Sequence, residues 1–188
     1  KAADDMAMAA WRQRRALVGS TKVHSIPEGV RLAKEAIAKG ATPVVLADHS
    51  DRSGSATWLL KEIVAQDLSD TLIATIADAR ASDALEAKGV KAGDSFDMEV
   101  GGLVDESAGA PVRIQGTVIN VVAGHGQPWV VVRFGRNNVL VLSRYLVQVM
   151  EPLPLNALGV DVAQFKAIAI KSRVHFRRGF DDSGFAKT

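Results

Sequence analysis

Residues 43–66 read PVVLADHSDRSGSATWLLKEIVAQ, and the interpretation of the whole chain starts from this stretch. An apolar run ends at Asp48 and opens into a short polar turn around Gly54, after which apolar residues recur at helical spacing. This order predicts a buried strand, a tight loop and an α-helix over residues 56–66. Because the first N–H groups of a helix are unpaired and partly positive, the loop is suited to hold a carboxylate or a phosphate.

A simpler interpretation of the same loop stays open. Asp48 and either Ser53 or Ser55 have the side chains that commonly cap a helix and close a turn. The loop contains a single glycine and no lysine after it, which excludes a phosphate-binding P-loop.

The first half of the chain has the pattern of a parallel sheet covered by helices. Residues 4–17 favour a helix, with Trp11 expected in the core. Ser25 and Glu28 have capping-box spacing, and they open a helix that ends at Gly40. A second continuous apolar strand at residues 71–77 is followed by a short helix over residues 82–88. Strand and helix alternate, which predicts an α/β fold with a parallel βαβ core.

The pattern changes after Gly93. Strand-like runs separated by short Gly-, Pro- and Asn-containing loops occupy residues 94–100, 112–123, 129–134 and 139–149. Short loops favour antiparallel pairing, so this part is predicted to be a β meander or a small partly closed sheet. A turn and short helix at residues 156–163 and a strand at 165–170 then return to the parallel sheet. We expect one domain, 1–188, with an α/β part (1–93 and 155–180) and a β-rich part (94–154).

Composition excludes several classes of protein. The 188 residues carry a net charge of +2 with cations and acids intermixed, unlike the basic surface of a nucleic-acid-binding protein. There is no cysteine, and no apolar run has the length of a membrane span. We expect a cytoplasmic protein without nucleic-acid or membrane partners. The chain begins with Lys1, from which we expect it to be part of a longer polypeptide.

Motifs for hydrolytic chemistry are sparse. The four histidines show no HExxH or other paired spacing, so no metal site is expected in this chain. His49, next to Asp48 and two residues before Asp51, is the weak candidate for a metal ligand. The G-x-S-x-G motif of serine hydrolases is absent, and no catalytic residue is assigned.

A second polar group follows the strand at residues 165–170 and contains Lys171, Ser172, His175 and Arg177. If this strand lies parallel to the strand before Asp48, both strands end at the same edge of the sheet, and the two polar groups face one cleft. The alternative is that Arg177 and Arg178 are merely solvated and that His175 packs under Phe176.

Three segments in these regions carry a resemblance to a known family. They are PVVLADHSDRSGSATWLL (43–60), the Gly101-Gly102 turn after DMEV, and ALGVDVAQFKAIAIKSRVHFRRGF (157–180). Together they resemble the C-terminal domain of the MlrC family, named for a microcystin-degrading metallopeptidase, and KSxxHF is the most specific motif.

The resemblance implies a two-part zinc-dependent peptidase or amidohydrolase, a hydrolase whose zinc ligands lie on an N-terminal domain absent from this chain. The chain alone is then expected to be inactive and to form one wall of the substrate cleft. The residues expected to contact a peptide or amide substrate are Asp48, Asp51, Ser53, Lys171, His175 and Arg177.

Two other functions remain open from the sequence. One is a binding or assembly module without enzymatic role, which pairs with its missing half or with another chain, including a second copy of itself. The other is a domain that binds small anions at the Asp48 loop.

Overall fold

The computed structural model describes residues 1–19, 23–49, 54–103, 106–124 and 126–187, with side chains from 1–16 in the first range. Seven strands in these ranges form one mixed sheet in the order β1-β7-β2-β6-β5-β4-β3. The strands are β1 (Val44–Asp48), β2 (Thr71–Ala77), β3 (Ser95–Val100), β4 (Val112–Gly124), β5 (Gln127–Phe134), β6 (Asn138–Ser143) and β7 (Ala167–Lys171).

The helices of the described residues are α1 (Ala2–Gly19), α2 (Ile26–Ala38), α3 (Trp58–Ala65), α4 (Ala79–Ala87) and the single turn α5 (Leu153–Asn156). Two 3-10 turns, Glu106–Ala108 and Val162–Gln164, and a π-helical turn, Arg177–Asp181, complete the regular structure. Within the described ranges, none of the helices is both long and apolar enough to cross a membrane.

The parallel part of the sheet confirms the predicted α/β class. Strand β7 lies between β1 and β2 and is parallel to both. Every residue of β2 and β7 is buried, which explains their continuous apolar sequences. Because β7 follows β1 by more than a hundred residues, this pairing joins distant segments of the chain.

The β-rich part is a meander, the first of the two predicted forms. Strands β3, β4, β5 and β6 pair antiparallel in chain order. Strand β6 also pairs parallel with β2, so the meander extends the parallel sheet and the sheet stays open. The last predicted strand is too long, because β6 ends at Ser143. There the chain turns away as Gln127 Oε1 accepts the N–H groups of Arg144 and Tyr145, at 2.8 and 3.0 Å.

Two apolar clusters pack on opposite faces of the sheet. One contains residues of α2, α3 and α4, including Val30, Leu60 and Leu85. The other lies under the segment that precedes β7 and under the C-terminal turn, and includes Leu155 and Phe180. Both clusters hold β1 and β7 from two sides, so the ends of these strands are fixed relative to each other.

Two local predictions in the N-terminal region are wrong. Trp11 is 61% exposed and stacks on the Arg14 guanidinium at 4.0 Å, because the side chains described on α1 project into solvent. Ser25 precedes α2 as predicted but makes no side-chain capping hydrogen bond. Glu28, the expected partner in the capping box, binds Arg31 instead, and this hydrogen bond lowers the pKa of Glu28.

Candidate functional site

The carboxyl ends of β1 and β7 meet in a buried ion pair. Asp48 and Lys171 are partners in the register of the two parallel strands. Lys171 Nζ lies 2.8 Å from Asp48 Oδ2 and donates a second hydrogen bond to the carbonyl oxygen of Ala56 at 2.7 Å. The two side chains are only 6% and 4% exposed. One ammonium group therefore binds the residues on both sides of the loop that joins β1 to α3.

Backbone hydrogen bonds hold the same loop from other directions. The N–H of Ser172 donates to the carbonyl of Asp48 at 3.1 Å. On the far side, Gly54 accepts from the N–H of Ala77 at 2.9 Å, and the N–H of Gly102 donates to Ser55 at 2.7 Å. The Gly101-Gly102 turn thus contacts the loop that the sequence analysis singled out. Asp51 and Ser53 lie outside the described residues.

The cap that the sequence suggested for the helix after this loop involves Asp48 with Ser53 or Ser55, of which Ser53 lies outside the described residues. Thr57 precedes α3 and makes no side-chain capping hydrogen bond, and its hydroxyl donates to the carbonyl of Ala110 at 2.6 Å. Asp48 pairs with Lys171, and Ser55 Oγ accepts from the N–H of Leu103 at 3.3 Å. The three described polar side chains Asp48, Ser55 and Thr57 thus bind distant segments, which a local capping rule does not consider.

The segment after β7 is arranged around Ser172. The Ser172 hydroxyl is buried and accepts the N–H of Phe176 at 3.3 Å, and Gln148 Nε2 lies 3.4 Å away. Gln148 Oε1 in turn lies 3.3 Å from His175 Nδ1. His175 is exposed, so it does not pack under Phe176 as one interpretation of the sequence proposed.

A cleft of about 390 Å³ runs along β1 and past this segment. It is lined by Val23, His24, Ser25, Ile26, Gly29, Val45, Leu46, Ala47, Asp48, His49, Leu59, Arg173, Phe176 and Arg177.

The candidate residues fall in different places relative to this cleft. Asp48, His49 and Arg177 line it. Lys171 lies behind the surface of the cleft, where it binds Asp48, and His175 faces Gln148 outside the lining. The parallel pairing of β1 with β7 therefore brings the two ends together, and Lys171 lies deeper than a surface contact.

The charge of the cleft is positive in its described part. Arg173 and Arg177 are exposed, His24 and His49 stand beside them, and the one lining carboxylate, Asp48, is bound by Lys171. Arginine binds carboxylates through paired, charge-assisted hydrogen bonds. The arrangement therefore suits a ligand with a carboxylate or another anionic group.

Among the lining residues with a charged, imidazole or aromatic side chain, sequence reasoning missed three: His24, Arg173 and Phe176. Arg173 and Phe176 belong to the KSxxHF segment. The motif therefore marked the right segment, but the residues selected from it were Lys171 and His175. His24 lies before α2, and only the packing of α2 beside β1 brings it to the cleft. No local pattern in the sequence reports that contact.

The residues of the cleft do not fit a metal ion. Over the described parts of the chain, no group of three or more His, Cys, Asp or Glu side chains is arranged to hold one. Asp48, the carboxylate next to His49, already binds an ammonium group. We therefore assign no metal ligand among the described residues; whether His49 binds a metal together with Asp51, which lies outside them, stays a prediction of the sequence.

Comparison with known proteins identifies the family. The family model described as MlrC C-terminus matches residues 46–184. The chain belongs to the MlrC family. The match includes the whole loop after β1, the double-glycine turn and the KSxxHF segment.

One relative agrees with this assignment, and one solved structure shares the fold. Microcystinase C from Sphingomonas sp is 30% identical over an alignment of 174 residues, which covers 84% of this chain and 34% of that protein. The crystal structure of a "Putative metallopeptidase" from Mesorhizobium sp. BNC1 superimposes with a TM-score of 0.72, covering 95% of this chain and 38% of the other. At 16% identity, that likeness shows a shared fold. This MlrC chain spans about a third of the length of either relative.

Proposed function

We propose that this MlrC chain forms one wall of the substrate cleft in a zinc-dependent peptidase or amidohydrolase. The observation that carries the proposal is the positive cleft at the joined ends of β1 and β7. It lies at the carboxyl edge of a parallel sheet, where α/β proteins commonly bind ligands. The relative named Microcystinase C supports hydrolysis of a peptide as the reaction of the whole protein.

The residues of the cleft divide into two roles in this proposal. Arg173 and Arg177 bind a carboxylate of the substrate and so fix its position relative to the reacting amide. Asp48 and Lys171 hold the loop that faces the substrate, because their ion pair ties β1 and the start of α3 together. Asp51, Ser53 and His175 remain proposed contacts for the amide groups of the substrate.

Zinc, when bound by the whole protein, would activate the water that attacks the amide. We place its ligands on a part of the polypeptide outside this chain, since the described residues offer no fitting donor set. This chain contributes binding and orientation, and it is expected to be inactive alone. We retain the cytoplasm as the expected location.

The proposal is tested in the full-length enzyme with a linear peptide that has a free carboxylate. Arg177→Ala should raise KM about ten-fold or more with little change in kcat, because a charge-assisted hydrogen bond contributes roughly 1.5–3 kcal/mol. Arg178→Ala is the matched control, since Arg178 is exposed but does not line the cleft. Equal KM values for the two variants would show that Arg177 does not bind a carboxylate of the substrate.

A second function, assembly, is supported by a separate observation on α1. This helix exposes Met6, Met8 and Trp11, which are 75%, 48% and 61% exposed. Met8 and Trp11 are three residues apart and so lie on one face of the helix, and apolar side chains grouped on an exposed face are typical of a surface that another protein covers. Size-exclusion chromatography of the wild type and of Trp11→Glu tests this function. A larger species that Trp11→Glu dissociates would support it, and a monomer in both would refute self-assembly.

A further inference from the structure

The outer edge of β1 is an unusual feature of the cleft. β1 is the last strand of the sheet on its side and pairs only with β7 among the described strands. Five consecutive residues, Val45 to His49, line the cleft, so the cleft follows the strand along its length. A ligand in the cleft therefore lies beside the backbone of β1 as well as beside side chains.

The direction of the backbone groups follows from the pairing with β7. Val44 donates its N–H to Lys166 at 2.9 Å, and Asp48 accepts from Ser172 at 3.1 Å. Residues of a parallel strand alternate between their two neighbours, so residues 44, 46 and 48 face β7. The N–H and C=O groups of Val45 and Ala47 then face the cleft.

Two contacts define the ends of this exposed stretch. The N–H of Lys187 donates to the carbonyl of Pro43 at 3.0 Å, and Arg173 Nε donates to the carbonyl of His49 at 3.1 Å. Both carbonyls belong to the series that faces away from β7. Within the described chain, no other segment donates to or accepts from the outward backbone groups of Val45 and Ala47. These two residues offer four hydrogen-bonding groups with the spacing of an extended chain.

We propose that the β1 edge binds the substrate as an extended peptide, which adds a short strand to the sheet. This inference rests on the proposed function and specifies how the substrate lies. The peptide backbone bonds Val45 and Ala47, and a carboxylate at one end of the peptide binds Arg173 and Arg177.

The walls of the cleft fit such a strand. Leu46 packs on one face of the sheet with Leu59, and Val45 and Ala47 pack on the other. The side chains of an extended peptide alternate between these two faces. Apolar side chains of the bound peptide thus contact Leu59 on one face of the sheet and Phe176 on the other.

A second copy of this chain fits the edge less well. Two-fold pairing of β1 with itself places Pro43 of each copy opposite His49 of the other. Lys187, which lies on the edge at Pro43, would then meet Arg173 of the other copy. Both residues are positively charged and both occupy the edge, so they would repel each other. A peptide carboxylate, in contrast, is attracted to Arg173.

Backbone N-methylation of a peptide tests the proposal without altering the protein. The probe is the N-acetylated hexapeptide AVALAE with a free C-terminal carboxylate, and its binding to the 188-residue chain is measured by calorimetry. Each amide is methylated in turn. Two amides two residues apart, which donate to the carbonyls of Val45 and Ala47, should lose about five-fold in affinity each, the equivalent of one net hydrogen bond, while the other amides stay within about two-fold.

A protein variant gives a second measurement. Ala47→Pro removes an outward N–H without removing a bond to β7, and proline is tolerated on edge strands. It should weaken binding about five-fold relative to Ala47→Gly, which also changes the side chain but keeps the N–H. Thermal unfolding of both variants shows whether the β1–β7 pairing is retained.

Three results would overturn the inference: no binding of the hexapeptide at millimolar concentration, no alternation among the methylated peptides, or a dimer that Ala47→Pro dissociates. The last result would assign the edge to a second copy. If the Arg177→Ala effect on KM persists in the full-length enzyme without alternation, the proposed function stands and only the added strand is wrong.

Discussion

Replacement of Lys171 by methionine should destabilise this protein far more than the loss of a surface charge. Lys171→Met keeps the side-chain volume but leaves the carboxylate of Asp48, which is 4% exposed, without its ammonium partner. Removing one member of a buried ion pair typically costs about 3–5 kcal/mol, whereas an exposed pair contributes about 0–1 kcal/mol. For a chain of this length, the expected decrease in Tm is roughly 6–20 °C.

The double variant Asp48→Leu/Lys171→Met separates the buried charge from the loss of packing. Replacing both members of a buried pair with apolar residues is often neutral, so the double variant should recover most of the lost stability. Urea unfolding followed by circular dichroism gives the free energy of unfolding for the wild type, both single variants and the double variant. A loss below about 1 kcal/mol in Lys171→Met would show a solvated pair and refute the reasoning.

Four further substitutions test other contacts of the fold by the same urea-unfolding measurement. Gly101→Ala should cost about 2–5 kcal/mol, because Gly101 has φ +69° and a Cβ there would lie 2.8 Å from the Ser55 carbonyl oxygen. Gly89→Ala, with φ +61° and open space around the new Cβ, should cost only about 1–2 kcal/mol, and equal losses would contradict the steric argument. Asp78→Ala should cost about 2–5 kcal/mol, since the buried carboxylate of Asp78 accepts two backbone N–H groups at 2.8 and 2.9 Å. A loss under about 1 kcal/mol would mean that water replaces the carboxylate as the acceptor of these N–H groups. The hydrogen bond from Arg113 lowers the pKa of Asp97 to about 2, so its stabilising contribution is present above about pH 4 and is lost as the pH falls to about 2. Asp97→Asn should remove that part of the pH dependence, and an unchanged acid profile would contradict the assignment.

Much of the fold could be predicted because the strands have strong local patterns. TLIATIA at residues 71–77 is apolar throughout, and all seven residues of β2 are buried. The end of β6 could not be predicted in this way. It depends on Gln127, whose side chain accepts two N–H groups from residues that follow the strand. A side chain that acts across more than fifteen residues leaves no periodic signal at the turn.

The site was predictable only in part, for a related reason. Parallel pairing placed Asp48 and Lys171 at one edge, but their spacing along the chain could not show that they bind each other. The error about Trp11 has the opposite origin. Its large apolar side chain suggested the core, yet α1 presents it to solvent, and hydrophobicity alone cannot distinguish a core residue from one that a partner covers.

The position of β7 between β1 and β2 affects how the chain folds during translation. β1 has no strand neighbour other than β7 in the described sheet, and β7 is the last strand to be synthesised. Until residues 167–171 leave the ribosome, β1 remains unpaired and the apolar faces beside it stay open to chaperones and to other nascent chains. The cleft therefore assembles only after every other strand of the described sheet has been synthesised.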